Sequence, residues 1–379
     1  MTRDALVLSR RSLIAASFSA GGLLAAHRLL GQQGGTPSTT LPDLVIRNPR
    51  ALDAETPLGS LANYHTAPER FFVRSHFGPP TEVPLDWKLT IDGEVGAPIT
   101  FSLDDIRKLA PTTRSVTLEC AGNGRGVFDL KSTSGVQWQY GAVSTAAWSG
   151  VSLGALLERA GLRSSAQHLW MEARDQAPLP TVPKFLRSIP RAVALGDAFV
   201  AYEMNGRAIP LLHGGPLRLI VPGWFGMAST KWLSAIHART LASDNFFMAH
   251  GYRYADQSPV QELHVKSVIA SPLADERVRV GTLSVKGQAW TGTSGGAVQT
   301  VDVSADGGHS WRPARLVGPE QRGAWRSWEA DVVAAPGDVT LMARATDSSG
   351  AIQPAFAIAN PGGYGNNSIH QVRVHATTS

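Results

Sequence analysis

The chain has 379 residues, 35 Lys and Arg against 30 Asp and Glu, and a single cysteine, Cys120. That length is ample for two domains, and one cysteine excludes an internal disulfide, a two-thiolate zinc site, a four-cysteine iron–sulfur cluster and a covalently attached c-type haem. Residues 1–42 carry four Arg and one Asp, residues 43–260 carry 21 basic against 19 acidic residues, and residues 261–379 balance ten against ten, so a nucleic-acid or anionic-membrane surface is not indicated.

The chain opens with Ser9-Arg10-Arg11-Ser12-Leu13-Ile14 and an apolar, small-residue stretch through Leu30. A twin arginine before such a stretch is the pattern of a twin-arginine export signal. The rival readings are a membrane anchor or a general secretory signal. The uncharged run from Ser12 to Ala26 is 15 residues, short of the ~20 that a spanning helix needs. A periplasmic protein with no membrane segment in its mature form is expected, with residues 1–42 as signal and leader and Ala25-Ala26 as the nearest small-residue cleavage site.

Residues 44–50 and the Phe77-Gly78-Pro79-Pro80 region read as extended, irregular chain, and 87–91 and 116–118 as strands. Residues 104–109, after a Ser102 cap, and 152–160, stopped by Gly161, read as short helices. Residues 169–172, 198–203 and 217–221 again read as strands. This mixture without regular βαβ spacing predicts an α+β domain over 43–260. The texture then changes: 278–280, 283–290, 298–304, 311–317, 328–333 and 339–346 are short strands parted by turns such as Asp306-Gly307-Gly308. Residues 261–379 are therefore expected to form an immunoglobulin-like β-sandwich without the disulfide of antibody domains.

Polar segments stand out within the first domain. Cys120 lies in Thr-Leu-Glu-Cys-Ala-Gly-Asn-Gly-Arg-Gly, residues 117–126, a loop whose backbone is able to approach a ligand closely and whose Arg125 is expected to favour thiolate. An inert core thiol, a nucleophile and a single thiolate ligand to a metal all remain open on these residues alone. In Arg70-Phe71-Phe72-Val73-Arg74-Ser75-His76, extended chain places Arg74 and His76 on one face, although a solvated edge strand has the same pattern. His213, Arg218 and Lys231 on glycine-rich turns suit a phosphate-bearing heterocyclic ligand. No Walker motif and no strand-linked G-x-G-x-x-G is present, so nucleoside triphosphate and simple NAD readings are unsupported. An aromatic–basic run, His250-Gly251-Tyr252-Arg253-Tyr254, precedes the domain boundary.

Seven segments in this order resemble the sulfite oxidase family of molybdenum enzymes across nearly the whole chain after the leader. They are residues 71–76, Cys-Ala-Gly-Asn at 120–123, Ala-Tyr-Glu-Met-Asn-Gly at 201–206, His213 to Pro216, Val-Pro-Gly at 221–223, Lys-Trp-Leu at 231–233 and residues 301–308. The resemblance implies a molybdopterin-binding catalytic domain, an immunoglobulin-like dimerisation domain and a homodimer. It implies molybdenum–molybdopterin as cofactor, with Cys120 as metal ligand. Phe72, Val73, Arg74, His76, Asn123, Asp175, His213, Arg218, Ser229, Thr230 and Lys231 are implied as cofactor contacts or pocket lining. Arg74, His76, Arg125 and Tyr252 are implied on the substrate side, with Tyr254 competing for the place of Tyr252.

Two departures from the pattern bear on the substrate. Gly124 stands where animal members often carry a further arginine. Pro361-Gly362-Gly363-Tyr364 stands where animal and plant members place an arginine from the C-terminal domain. The missing charge is expected to weaken dianion binding or admit a neutral substrate. The implied function is oxidation of sulfite by oxygen-atom transfer, with water as co-substrate and electrons leaving singly to an external c-type cytochrome; no intrinsic haem is expected. The alternatives are an exported molybdenum reductase of an S- or N-oxide such as methionine sulfoxide, which the C-terminal sandwich disfavours, and a cofactor-free binding module with Cys120 buried.

Overall fold

The computed structural model describes residues 43–49, 52–128 and 133–378; the export signal and leader at 1–42 lie outside them. Residues 43–49 are more regular than expected: Val45–Asn48 pairs antiparallel with Asp53–Glu55. Two five-stranded sheets build the first domain. One contains Thr112–Glu119, Val143–Ser152 and Phe199–Met204 as neighbours, with Arg207–Ala208 and Arg218–Ile220 both pairing with Phe199–Met204. The other runs in the order Ile99–Ser102, Lys88–Gly93, Leu233–Arg239, His168–Ala173 and Leu186–Pro190.

Period-two alternation gives each strand two jobs. Val200 and Leu219 of the first sheet join Leu89, Ile91, Met171 and Ile236 of the second in one core. Phe199, Ala201 and Ile220 point the other way, into a second core with Phe71, Phe72, Trp148 and Cys120. Cys120 follows directly on the end of Thr112–Glu119, so a fully paired strand fixes where its sulfur begins.

The two expected helices are present over Leu103–Arg107 and Leu153–Arg159. Ser102 and Asp105 form a reciprocal capping box at the first, satisfying two backbone donors at once. The second buries Leu153, Leu156 and Leu157 at the i, i+3, i+4 spacing of one face. Gly161, at φ 67°, ends that helix as expected. Helices are nonetheless few and short among the described residues, and strands dominate the first domain beyond what its sequence texture implied.

Residues 265–378 form a β-sandwich of a four-stranded and a five-stranded sheet. Val285, Ala289, Trp328 and Val332 from one sheet meet Val301, Leu341, Ala343, Val372 and Val374 from the other. The single strand expected at 311–317 is two: Arg312–Pro313 pairs within one sheet and Arg315–Val317 within the other. A strand that changes sheets cannot keep one ladder, and Pro313 has no N–H to extend one. Lys266–Ser271 and His370–Thr377 are further strands that the sequence reading left out.

Candidate active site

The catalytic domain holds a cavity lined by Phe72, Arg74, His76, Cys120, Asp175, Phe185, His213, Arg218, Met227, Ser229, Thr230, Lys231 and Tyr252 among others. Eleven of the residues expected from the sequence line it; Val73, Asn123 and Arg125 do not.

Cys120 is held by its own loop. Its N–H donates to the Ala142 carbonyl at 2.9 Å, and its carbonyl accepts from the N–H of Asn123 at 2.8 Å. Asn123 donates from Nδ2 to Glu119 Oε1 at 2.9 Å and accepts the Ala142 N–H on Oδ1 at 3.1 Å. Its side chain is therefore engaged inside the loop that carries the sulfur, and it is not among the cavity-lining residues. Gly124 turns at φ 87°, where an added Cβ would lie 3.1 Å from the Asn366 side chain. Two groups of the sandwich domain close the arrangement: Lys266 Nζ donates to Glu119 Oε1 at 2.9 Å and Trp290 Nε1 to Glu119 Oε2 at 2.8 Å. All these partners are buried.

Burial raises the Cys120 thiol above its ordinary value, while Arg74 and Arg125 pull the other way. The expectation that the neighbouring cation favours thiolate is thus reversed for the bare site: desolvation outweighs the charges, and a metal would have to displace the proton. Arg125 itself spends its guanidinium on carbonyls, donating from Nε to Gly362 at 3.0 Å and from Nη1 to Val136 at 3.0 Å, with Tyr364 stacked beneath at 5.3 Å. It braces the Cys120 loop against the sandwich domain and is not among the cavity-lining residues. Nor is Val73. Its N–H and carbonyl pair with Ala54, and its side chain packs on Leu44 and Ala54.

At one end of the cavity Arg74, His76 and Tyr252 form a connected chain. Arg74 Nη1 donates to the buried Asp53 at 3.1 Å, Arg74 Nη2 lies 3.4 Å from His76 Nδ1, and His76 Nε2 lies 2.9 Å from the Tyr252 oxygen. Desolvation works against the Arg74 charge, but Asp53, Tyr252 and Cys120 together outweigh it and leave the pKa above the ordinary value. Burial, then the charges of Arg74, Arg187 and Lys231, hold His76 well below its usual range, so its ring is neutral. A guanidinium cannot accept a hydrogen bond, so Nδ1 is the acceptor and the proton rests on Nε2, pointing at the Tyr252 oxygen. The phenol proton is then free to donate elsewhere. Phe185 and Phe247 pack on the imidazole at 4.8 and 4.7 Å. Tyr254 bonds His264 at 3.1 Å and is not in the cavity lining, so Tyr252 is the tyrosine of this end.

The other end gathers cations. Lys231 Nζ donates to the Leu212 carbonyl at 3.0 Å, and Arg218 donates from Nη1 to His213 and from Nη2 to Ser229 at 2.7 and 3.0 Å. Gly214, at φ 100°, lets its backbone approach Lys231 where a Cβ would stand 2.7 Å from the lysine side chain. Desolvation lowers Lys231 to about 7, Arg218 to about 9 and His213 to about 3. Asp175 faces this cluster, and desolvation lifts it to about 6 against the pull of Lys231.

Among the described residues the buried Arg218 Nε and Thr230 Oγ1 have no hydrogen-bond partner, and beside them a third group, Lys231, has its charge disfavoured by desolvation. Buried donors without acceptors are costly unless a ligand completes them. An anion such as a phosphate would satisfy all three, and the lone thiol in the same cavity offers the soft donor that molybdenum takes. The residues present therefore fit a molybdopterin. Asp53, Phe185, Phe247, Glu119 and Arg187 were not found from the sequence. Only Glu119 had a local signal, its position beside Cys120.

Known proteins agree with this geometry. Residues 76–247 match the oxidoreductase molybdopterin binding domain and residues 257–377 the Mo-co oxidoreductase dimerisation domain. The chain is 35% identical to mitochondrial sulfite oxidase of Homo sapiens, covering 89% of this chain and 66% of that protein. It is 35% identical to sulfite oxidase of Gallus gallus, covering 83% and 73% respectively. The crystal structure of the sulfane dehydrogenase SoxCD from Paracoccus pantotrophus superposes with a TM-score of 0.77 at 27% identity, over 99% of this chain and 93% of that one. Fold and site together define a molybdopterin-dependent oxidoreductase. The chain belongs to the sulfite oxidase family of molybdenum enzymes.

Proposed function

We propose that this protein oxidises sulfite to sulfate as an exported, periplasmic homodimer and hands electrons singly to an external c-type cytochrome. The observation that carries the reading is the joining of Arg74, His76 and Tyr252 in one hydrogen-bonded chain beside the only thiol, within one cavity. When bound, the molybdenum cofactor supplies oxygen-atom transfer and the redox capacity for it. Cys120 would give its sulfur to the metal. Arg218 Nε, Thr230 Oγ1 and Lys231 would hold the phosphate, and His213 and Asp175 would face the pterin end. Arg74, fixed by Asp53, presents a planar fork to an oxyanion. Tyr252 donates its phenol proton to the same anion, and His76 fixes the phenol oxygen from behind. Phe185 and Phe247 keep water from the imidazole.

Sulfite-dependent reduction of ferricyanide or cytochrome c by the molybdenum-loaded protein tests the reading, and loaded protein inert toward sulfite would overturn it. A second reading, oxidation of a sulfane sulfur, is favoured by Arg125 lying outside the cavity lining and by the likeness to the sulfane dehydrogenase. Turnover of a sulfane compound faster than sulfite would select it. The twin arginine at residues 10–11 supports export, and the match at 257–377 supports the homodimer and disfavours the exported reductase. The immunoglobulin-like reading of the sandwich is supported by its strand orders: Lys266–Ser271, Gly281–Trp290, Arg326–Ala334 and Arg315–Val317 in one sheet, and Arg277–Arg279, His370–Thr377, Gly337–Asp347, Val298–Ser304 and Arg312–Pro313 in the other.

A further inference from the structure

Arg187, on the strand Leu186–Pro190, is 3% exposed and does not line the cavity described above. It donates from Nη1 to the Phe247 carbonyl and reaches the Val260 carbonyl from Nη2 at 3.5 Å, while its Nε has no partner. The charged and ionisable groups acting on it are the Tyr252 and Tyr364 phenols and the like-charged Arg253; no carboxylate is among them. Its guanidinium lies over the Tyr252 ring, 5.1 Å from the centroid, and its charge is felt at His76.

Among the described residues Arg187 has no carboxylate partner, and two carbonyl contacts offset only part of the cost of burying its charge. Of the other cations near this end, Arg74 is matched by Asp53 at 3.1 Å, whereas Arg125, like Arg187, is bound to carbonyls and outside the cavity lining; Arg187 is the one that lies over Tyr252. Arg187 therefore leaves a net positive charge one ring behind the phenol that faces the cavity, at the end where Gly124 and residues 361–364 bring no arginine.

We propose that Arg187 is a positioning residue for an anionic substrate: its uncompensated charge draws a sulfur oxyanion to Arg74 and Tyr252, and its guanidinium holds the Tyr252 ring in place. This rests on the reading that the substrate is a sulfur oxyanion. The charge acts on the anion before and during reaction alike, so its loss appears in binding and not in the chemical step.

Arg187→Gln removes the charge and leaves a shorter polar amide in its place; Arg187→Lys keeps the charge. Sulfate, the product of the proposed reaction, is titrated onto the molybdenum-loaded protein and its dissociation constant is read from the shift in thermal midpoint. KM and kcat for sulfite are measured alongside. Arg187→Gln is expected to weaken sulfate binding and raise KM on the order of tenfold, with kcat within about twofold of the parent. Arg187→Lys should restore most of the sulfate affinity. Unchanged sulfate affinity in Arg187→Gln, equal loss in both variants, or a parent protein that does not bind sulfate would each overturn the proposal. If sulfite is not turned over while sulfate affinity still follows the charge at 187, the sulfite reading fails and the role of Arg187 stands.

Discussion

The phenol of Tyr252 keeps its proton at any physiological pH, because burial pushes its pKa far above the ordinary value despite the opposing charge of Arg74. With His76 Nε2 already directed at its oxygen, Tyr252 is the cavity's fixed donor. Tyr252→Phe removes that donor and leaves the imidazole proton unmatched in a buried place. A loss in kcat/KM for sulfite of roughly tenfold to a hundredfold follows, with the fold retained; steady-state kinetics beside circular dichroism check this. Cys120→Ser is expected to stay folded, since the sulfur ends a strand and lies on a loop, and to lose molybdenum and activity together. A folded serine variant that keeps most of its turnover would remove Cys120 from the metal. At this scale the residues legible in advance were those in short contiguous motifs: Arg74 and His76, two apart in extended chain, do meet in space. Asp53 and Arg187 were hidden, because their partners Arg74 and Tyr252 lie 21 and 65 positions away along the chain and nothing in the local text links them.

Between elements, the end of Thr112–Glu119 is where the two domains meet at the Cys120 loop. Glu119 accepts from Lys266 and Trp290 of the sandwich and from Asn123 of the Cys120 loop, all buried. Removing one partner of a buried ion pair strands the other charge, so Lys266→Met is expected to destabilise the protein by about 3–5 kcal/mol. Glu119→Gln combined with Lys266→Met removes both charges and should recover a large part of that loss. Denaturant unfolding of the single and double variants measures the coupling; equal stability of the two would show that the pair is not engaged. The helices at Leu103–Arg107 and Leu153–Arg159 were legible because capping residues and i, i+3, i+4 leucines are local signals. Val143–Ser152 was not. Its sequence, Val-Ser-Thr-Ala-Ala-Trp-Ser-Gly-Val-Ser, is small and polar without alternation, since it is flanked by strands and buried on both faces. His370–Thr377 does alternate, with His370, Val372, Val374 and Ala376 inward, and its signal was present but lay after a long loop.

For the molecule as a whole, the described chain from 43 onward carries little net charge, and its pH response is set by buried histidines. His213 is lowered to about 3 and His370 to about 4 by desolvation, and His76 and His264 are lowered as well. Unfolded, each binds a proton near pH 6.5, whereas folded it stays neutral until lower pH. The unfolded state thus takes up more protons as pH falls through 6.5, and stability present above that value is lost below it. His213 and His370 each remove about 0.8 kcal/mol by pH 6. Asp53, Glu55 and Asp175, raised by burial, and His237, raised by Glu172 and Asp92, act in the opposite sense; Asp175, at about 6, and His237 subtract from the effect within the same window. A thermal midpoint several degrees lower at pH 6 than at pH 7.5 is expected, with the difference reduced in His370→Asn. A midpoint unchanged between those values would contradict neutral burial.

The central claim is that the cavity shared by Cys120, Arg218, Thr230 and Lys231 holds a molybdopterin through that one thiol. Molybdenum and pterin content per chain, measured on protein purified from a host that makes the cofactor, tests it most directly. The account predicts close to one molybdenum and one pterin per chain in the parent, with molybdenum falling to a small fraction of that in Cys120→Ser. Folded parent protein free of molybdenum, or a serine variant that retains it in full, would contradict the account.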